Sequence, residues 1–340
     1  MIESLDRIPQ LKRVNLLVTK YCNLHCRMCD YKKRVTLNKR KDSSLSQIQS
    51  FIRELADLGV KFFELSGGEP MVRKDIYQII SYAKSLNLKT VMFTNGVLIG
   101  PLEVKRLIDA GLDSISFSLE GPESLNDRLR GRGNFQKTLN AITDFLSYCT
   151  EHPNLEVMVG ITLSKYNFQL IVPFSEYLLE EIGVHKITIN PFEKDMLLSK
   201  NRLTRSSEFE IPTELIPDLT KEIDKLIEYG ESMPGKLPPT SFLHEIPNFF
   251  VGKKFIPPDG CPIPSIFYGI SEDRYVYSCW KSYPIGDLEK MSLTEIFRSE
   301  YYQQFRRLAL AGKCNGCLSS CYMEIFSHRY HFVKDLDILF

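Results

Sequence analysis

The chain has 340 residues, 43% hydrophobic and 25% charged, an ordinary composition for a globular protein and long enough for roughly two domains of about 150 residues. Lys+Arg (43) and Asp+Glu (42) nearly cancel, which removes the bulk-charge case for a nucleic-acid or membrane partner. Met1 to Arg13 is mixed polar and charged, and no apolar run reaches membrane-spanning length; no signal peptide is expected, and the location expected is cytoplasmic.

The first apolar run, Val14 to Thr19, reads as a strand and leads straight into Tyr21-Cys22-Asn23-Leu24-His25-Cys26-Arg27-Met28-Cys29. A basic stretch follows, with Lys32, Lys33, Arg34, Lys39, Arg40 and Lys41, and reads as a solvated loop. Ser44 to Leu58 carries a helical stripe of Ile48, Phe51, Ile52, Leu55 and Leu58, with Ser44 and Gln47 as a capping box and Gly59 as the stop. Lys61 to Leu65 reads as a strand ending in Ser66-Gly67-Gly68-Glu69-Pro70, and Lys74 to Leu86 as a helix. Thr90 to Thr94 is a strand ending in Asn95-Gly96; Pro101 to Ala110 is a helix with proline at its start and Gly111 after it. Ser114 to Leu119 is a strand ending in Glu120-Gly121-Pro122, followed by a polar loop that contains Arg130-Gly131-Arg132-Gly133. Asn134 to Cys149 is a helix, Leu155 to Leu163 a strand, Phe168 to Ile182 a helix, and Lys186 to Ile189 a strand.

Six strand–helix alternations of this kind imply an α/β fold with a parallel sheet and right-handed crossovers. Chemistry in such folds gathers at the C-terminal ends of the strands. The cysteine loop, the Gly67-Gly68-Glu69 turn, the Asn95 turn and the Ser118–Glu120 turn all fall on that rim. From about Phe192 the pattern changes: Pro212 to Tyr229 is a charged amphipathic helix and Ser232 to Thr240 a proline-rich connector. Beyond it, Val276-Tyr277-Ser278 reads as a strand and Ser292 to Leu310 as helical.

Nine cysteines without a secretion signal read as metal ligands or redox groups rather than a disulfide framework. Three lie at C-x3-C-x2-C spacing, Cys22, Cys26 and Cys29; five fall at Cys261, Cys279, Cys314, Cys317 and Cys321; Cys149 reads as a core or near-surface thiol. Three thiolates on one tight loop suit zinc, copper(I) or an iron–sulfur cluster, and no fourth cysteine lies nearby to close the site.

The C-x3-C-x2-C loop after the first strand, with Ser-Gly-Gly-Glu-Pro ending the second, resembles the radical SAM enzymes. The resemblance covers Lys12 to about Phe192 and implies a partial (β/α)6 TIM-type barrel. In that family Cys22, Cys26 and Cys29 would hold a [4Fe–4S] cluster whose fourth iron chelates S-adenosyl-L-methionine. Reductive cleavage would then give a 5′-deoxyadenosyl radical that abstracts a substrate hydrogen. By position, Gly67, Gly68 and Glu69 would meet the methionine ammonium, Asn95 and Ser118 the ribose or methionine portion, and Arg130 the cofactor carboxylate. Met28 stands where many members have an aromatic residue near the adenine.

The C-terminal cysteines, with Gly286-Asp287-Leu288 and Ser292-Leu293, resemble the SPASM/twitch extension. Five cysteines imply one auxiliary [4Fe–4S] cluster, on Cys261, Cys279, Cys314 and Cys317, with Cys321 competing for a place in the last pair. The implied domains are a core at 1–192, a helical and proline-rich linker at 193–257 and the cluster domain at 258–340. The implied partners are a peptide or small-molecule substrate and an electron donor such as flavodoxin or ferredoxin. A radical SAM enzyme acting on RNA, motivated by the basic stretch, and a zinc-bound non-catalytic barrel are the alternatives. Departures from relatives bear on the reaction. Trp280, then Lys281, follow Cys279 where sulfatase-maturing members carry an acidic base. The chain ends in Leu339-Phe340 rather than the Gly-Gly tail of molybdenum-cofactor members. With 21 residues before Cys22, no fused N-terminal recognition domain is expected. His25, His328 and His331 read as surface or packing residues.

Overall fold

Six parallel strands carry the fold: β1 (Arg13–Thr19), β2 (Phe62–Gly67), β3 (Lys89–Thr94), β4 (Ser114–Ser118), β5 (Glu156–Leu163) and β6 (Lys186–Pro191), each hydrogen-bonded to the next in sequence order. The computed structural model describes residues 12–29, 35, 40–198, 201–204, 206–253, 255–256, 260–314 and 316–318, with backbone alone at 195–198 and 201–204. Helices α1 (Leu45–Asp57), α2 (Ile76–Ser85), α3 (Pro101–Asp109), α4 (Glu123–Arg130), α5 (Asn134–Tyr148) and α6 (Ile171–Glu176) lie between the strands. Their apolar stripes join the outward strand residues in one buried core that includes Ile48, Leu55, Ile79, Leu107, Phe145 and Phe174. Burial of these stripes, more than intrinsic propensity, holds the helices in place.

Local signals act as read. Ser44 Oγ accepts from Gln47 N at 3.3 Å and Gln47 Oε1 from Ser44 N at 2.9 Å, the reciprocal cap of α1. Three elements differ from the sequence reading. The polar stretch after Glu120 is not all loop, because α4 runs to Arg130; its buried face is short, Leu125, Asn126 and Leu129. The expected helix from Phe168 to Ile182 is composite: a 3-10 turn, α6, then a π-turn over Tyr177–Ile182. The helical stretch from Ser292 is two helices, here labelled α11 (Leu293–Arg298) and α12 (Glu300–Leu310). Ser299, in extended backbone, ends one and caps the next through its side chain.

The C-terminal region extends the same sheet. Strand β9 (Phe267–Ile270) pairs parallel with β1, β10 (Tyr275–Tyr277) antiparallel with β9, and β11 (Gly286–Asp287) with β10. A small hairpin, β7 (Asp195–Leu198) with β8 (Asn201–Thr204), follows β6. The open side of the barrel is covered by α7 (Ile216–Glu231), the connector after it, and α8 (Thr240–Leu243), α9 (Glu245–Phe250) and α10 (Ile263–Ile266). Ile187 N donates to Lys236 O at 2.8 Å, tying the connector to β6. Among the described residues no helix is long and apolar enough to cross a membrane.

The basic stretch does not end as a solvated loop. Arg40 donates to Asp287 Oδ1 and Oδ2 at 3.0 and 2.9 Å and to Asp273 O at 3.0 Å, and its guanidinium lies 4.6 Å from the Tyr275 ring centre. Arg274 in turn donates to Lys41 O at 3.0 Å. Lys32, Lys33, Arg34 and Lys39 lie outside the described residues.

Candidate functional site

The cysteine loop leaves the end of β1 and is gripped from both sides. Arg27 N donates to Leu129 O at 2.8 Å, and Cys29 N to Cys26 O at 3.1 Å. Met28 is buried with Leu125, Leu129, Phe192 and Phe209. That methionine therefore anchors the loop to α4 and to the segment after β6. Cys22 and Cys26 are half-buried, and Cys29 and His25 are exposed. Burial raises the Cys22 thiol and pushes Cys26 up to about 11, while the neighbouring Arg130 charge pulls both the other way. The Cys22 sulfur already accepts N–H donors, Leu24 N at 3.4 Å and Asn95 Nδ2 at 3.8 Å. Such donors suit a thiolate ligand. Among the described residues no three His, Cys, Asp or Glu side chains are gathered tightly as ligands of one ion.

The two glycines after β2 are required by the chain beside them. A Cβ on Gly67, at φ +133°, would stand 2.5 Å from Thr19 O, and one on Gly68 2.1 Å from Tyr21 O. Gly68 N and Glu69 N donate to Thr19 O and Tyr21 O, both at 2.8 Å, so this turn fixes the entry into the cysteine loop. Glu69 is 1% exposed. Its carboxylate accepts Thr94 Oγ1 at 2.7 Å, Asn95 N at 2.7 Å and Met71 N at 3.1 Å. Burial raises its pKa against those bonds. The carboxylate thus holds the Asn95 turn. Asn95 Nδ2 also donates to Asn23 Oδ1 at 2.9 Å, inside the loop. Gly67, Gly68, Glu69, Asn95 and Cys22 form one connected unit.

On the far side, Arg130 donates from Nε and Nη2 to Glu120 Oε1 at 2.9 and 2.5 Å. Glu120 is fully buried, and its Oε2 accepts Thr162 N at 2.8 Å. Burial alone would lower the arginine pKa, but Glu120 and Cys26 outweigh it and the charge is held. The carboxylate that Arg130 meets is the protein's own. Glu120 is a site residue that position at a strand end signalled and side-chain type did not. Ser118 closes β4 opposite Gly160 and is half-buried.

The second cysteine group is centred on Cys279. Burial drives its thiol well above its ordinary value, and the neighbouring Cys317, Cys261 and Cys314 push it further. Its sulfur accepts Lys281 N at 3.3 Å. Cys261 N donates to Ala309 O at 2.8 Å and Cys317 N to Phe255 O at 3.2 Å, so three segments converge there. Cys321, His328 and His331 lie outside the described residues. Cys149 is half-buried, with its thiol toward Phe145 O at 3.5 Å.

A cavity of about 910 Å³ runs along the inward faces of the strands and reaches Cys279. Inward positions of the strands mix polar side chains, among them Asn15, Glu64, Ser66, Ser116, Thr188 and Asn190, with apolar Phe62, Val91, Phe93 and Met158, in place of the wholly branched apolar layers that fill a closed barrel. Period-2 alternation was too short in each strand to expose this layer in the sequence. Asn15 Nδ2 donates to Glu64 Oε2 at 3.1 Å, and Ser66 Oγ to Asn15 Oδ1 at 2.9 Å. Cys279, Trp280 and Lys281 form part of the wall. The Trp280 indole lies on Gly269, where a Cβ would come within 2.3 Å of the ring.

Residues 16–165 match the family model described as the Radical SAM superfamily, and residues 261–318 that of the SPASM iron–sulfur cluster-binding domain. The Fe-coproporphyrin III synthase of Methanosarcina barkeri is 32% identical over 165 residues, 48% of this chain and 40% of that protein. The chain thus spans less than half of that relative. The AdoMet-dependent heme synthase of Nitratidesulfovibrio vulgaris is 26% identical over 326 residues, 92% of this chain and 86% of that protein. Streptococcus suis SuiB, solved bound to its precursor peptide SuiA, superposes with a TM-score of 0.67 at 16% identity, covering 96% of this chain and 75% of its own. At that identity the likeness is one of fold.

Proposed function

We propose that this chain, which belongs to the radical SAM superfamily and carries a C-terminal SPASM domain, is a radical SAM enzyme that abstracts hydrogen from a peptide or small-molecule substrate held in the barrel cavity. The observation that carries this reading is the connected rim unit in which Cys22, Asn95 and Glu69 lock the three-cysteine loop to the glycine turn. When bound, a [4Fe–4S] cluster supplies the electron that splits S-adenosyl-L-methionine to methionine and a 5′-deoxyadenosyl radical. Cys22, Cys26 and Cys29 would hold that cluster. Leu24 N and Asn95 Nδ2 stabilise the Cys22 thiolate, and burial at Cys26 limits water. Gly67, Gly68, Asn95, Ser118 and Arg130 line the approach to S-adenosylmethionine, with Glu69, Glu120 and Met28 as their supports.

The buried Cys261 and the half-buried Cys279, with Cys314 and Cys317, suit one auxiliary cluster. Its reducing equivalents, and those of the first cluster, would come from a flavodoxin- or ferredoxin-like donor in the cytoplasm. Relatives named for small-molecule chemistry and a fold neighbour solved with a precursor peptide support both substrate classes.

Anaerobic reconstitution should give about eight irons per chain, and dithionite with S-adenosylmethionine should release 5′-deoxyadenosine. Cys22→Ala, Cys26→Ala or Cys29→Ala should abolish that release and remove about four irons. Intact clusters with no cleavage of the cofactor would overturn the proposal.

A further inference from the structure

The charged side chains of the cavity cancel. Arg13, Lys186 and Lys281 face it, and so do Glu64, Glu156 and Glu193, three cations against three carboxylates among the described residues. Arg13 reaches Glu64 at 3.1 Å, and Lys281 is ion-paired with Glu193. The second pair bridges two distant segments of the cavity wall. Glu193 lies two residues beyond β6, and Lys281 two residues beyond Cys279, so the pair joins the last barrel strand to the auxiliary cysteine across the cavity. Both side chains stay part-open to it, 26% for Lys281 and 23% for Glu193. Trp280 lines the wall directly beside them.

A half-open ammonium–carboxylate pair is a neutral surface with a donor on one side and an acceptor on the other. Hydroxyls of Ser66, Ser116, Thr162 and Thr188 continue that character into the barrel. A substrate carrying several carboxylates would bring them into a cavity with no net positive charge, in which Arg13 and Lys281 already have carboxylate partners. It would pay desolvation without a matching charge. A group that carries its own acceptor and donor side by side loses nothing of the kind. We propose that Lys281 and Glu193 are substrate-docking residues that select an amide or amino-acid head group and discriminate against polycarboxylates. This rests on the cavity being the substrate site of the radical SAM enzyme proposed above.

Trp280, the chain's one tryptophan, reports on the same wall. The reconstituted protein is titrated with N-acetyl-L-alanine methylamide and, separately, with butane-1,2,3,4-tetracarboxylate, following Trp280 fluorescence. The diamide should give a saturable change, weakened at least tenfold in Lys281→Gln and Glu193→Gln. The tetracarboxylate should give none in the wild type and should gain binding in Glu193→Gln, where Lys281 loses its counter-charge. A merely structural pair would not produce that gain. Tetracarboxylate binding to the wild type as tightly as the diamide overturns the proposal; so does a Glu193→Gln chain that treats both probes as the wild type does. If the variants do not fold, the wild-type comparison of the two probes still decides. Release of 5′-deoxyadenosine by the wild type without any probe is measured alongside. Its absence strikes the enzymatic reading, whereas its presence with no preference between probes strikes the docking pair alone.

Discussion

Arg40 and Asp287 are 247 residues apart in sequence and are joined by two hydrogen bonds of 3.0 and 2.9 Å. The arginine follows the three-cysteine loop; the aspartate sits on β11, beside the strand that leads to Cys279. Lys20 Nζ donates to Arg40 O at 2.7 Å, two residues ahead of Cys22. One residue thus links the entry of the first cysteine group with the hairpin that holds Cys279 of the second. The sheet does the same through its backbone, since β9 pairs with β1. The relative placement of the two cysteine groups is set by a continuous sheet and an ionic latch.

Replacing Arg40 by alanine should therefore loosen the hairpin before it disturbs the barrel. Charge-assisted bonds at a part-buried site are worth about 2 kcal/mol here after allowance for exposure. Amide hydrogen exchange should accelerate at 275–289 by roughly 30-fold, with β2 to β5 unchanged. Uniform acceleration across the sheet, or none, would show that the latch does not act locally.

The latch also has a pH dependence. The bonds from Arg40 hold the Asp287 carboxyl below its ordinary range. A carboxyl lowered in the folded state stabilises at pH above its unfolded value and loses that contribution as pH falls through the folded one. Hairpin protection should be constant above about pH 5 and fall in more acid solution. Asp287→Asn should start lower and lose the Asp287 share of that fall. Identical acid profiles for the two chains would assign the titration elsewhere.

The glycine turn gives a sharper test of the first cysteine group. A methyl on Gly68 meets Tyr21 O, a backbone atom that cannot rotate away, at 2.1 Å. Gly68→Ala should displace the entry to the loop, costing about 3 kcal/mol. Reconstituted protein should lose about four irons while the Cys279 group keeps its own. Retention of both clusters at full occupancy would mean that the loop tolerates the shift.

The βα order, most element boundaries and the two cysteine groups were legible because each rests on local chemistry: the apolar stripe of α1, its Ser44 cap, the glycine at φ +83° that ends it. Less legible was what the rim residues touch. Glu69 and Arg130 were placed on the rim by position, yet their partners, Thr94 with Asn95 and Glu120, come from other strands and cannot be read from spacing. Strand β9 was hidden by its length of four residues, and its pairing with β1 by the sequence separation of 254 from Arg13 to Phe267. The basic stretch looked solvated because the acidic partner of Arg40 lies far along the chain.

The Glu120–Arg130 pair separates support from cofactor contact. Glu120 is fully buried and spends Oε1 on Arg130 and Oε2 on Thr162 N. Removing the arginine leaves a buried carboxylate without its counter-charge, which costs about 3–5 kcal/mol. Arg130→Met should therefore lower the denaturant midpoint strongly, and Glu120→Gln in the same chain should recover part of the loss, because the uncompensated charge is gone. Additive losses in the double variant would mean that the two side chains act independently. The recovered double variant then isolates the second role. If Arg130 also pairs with the carboxylate of S-adenosylmethionine, that folded chain should still bind the cofactor at least tenfold more weakly than the wild type in equilibrium dialysis; equal binding would confine Arg130 to holding Glu120.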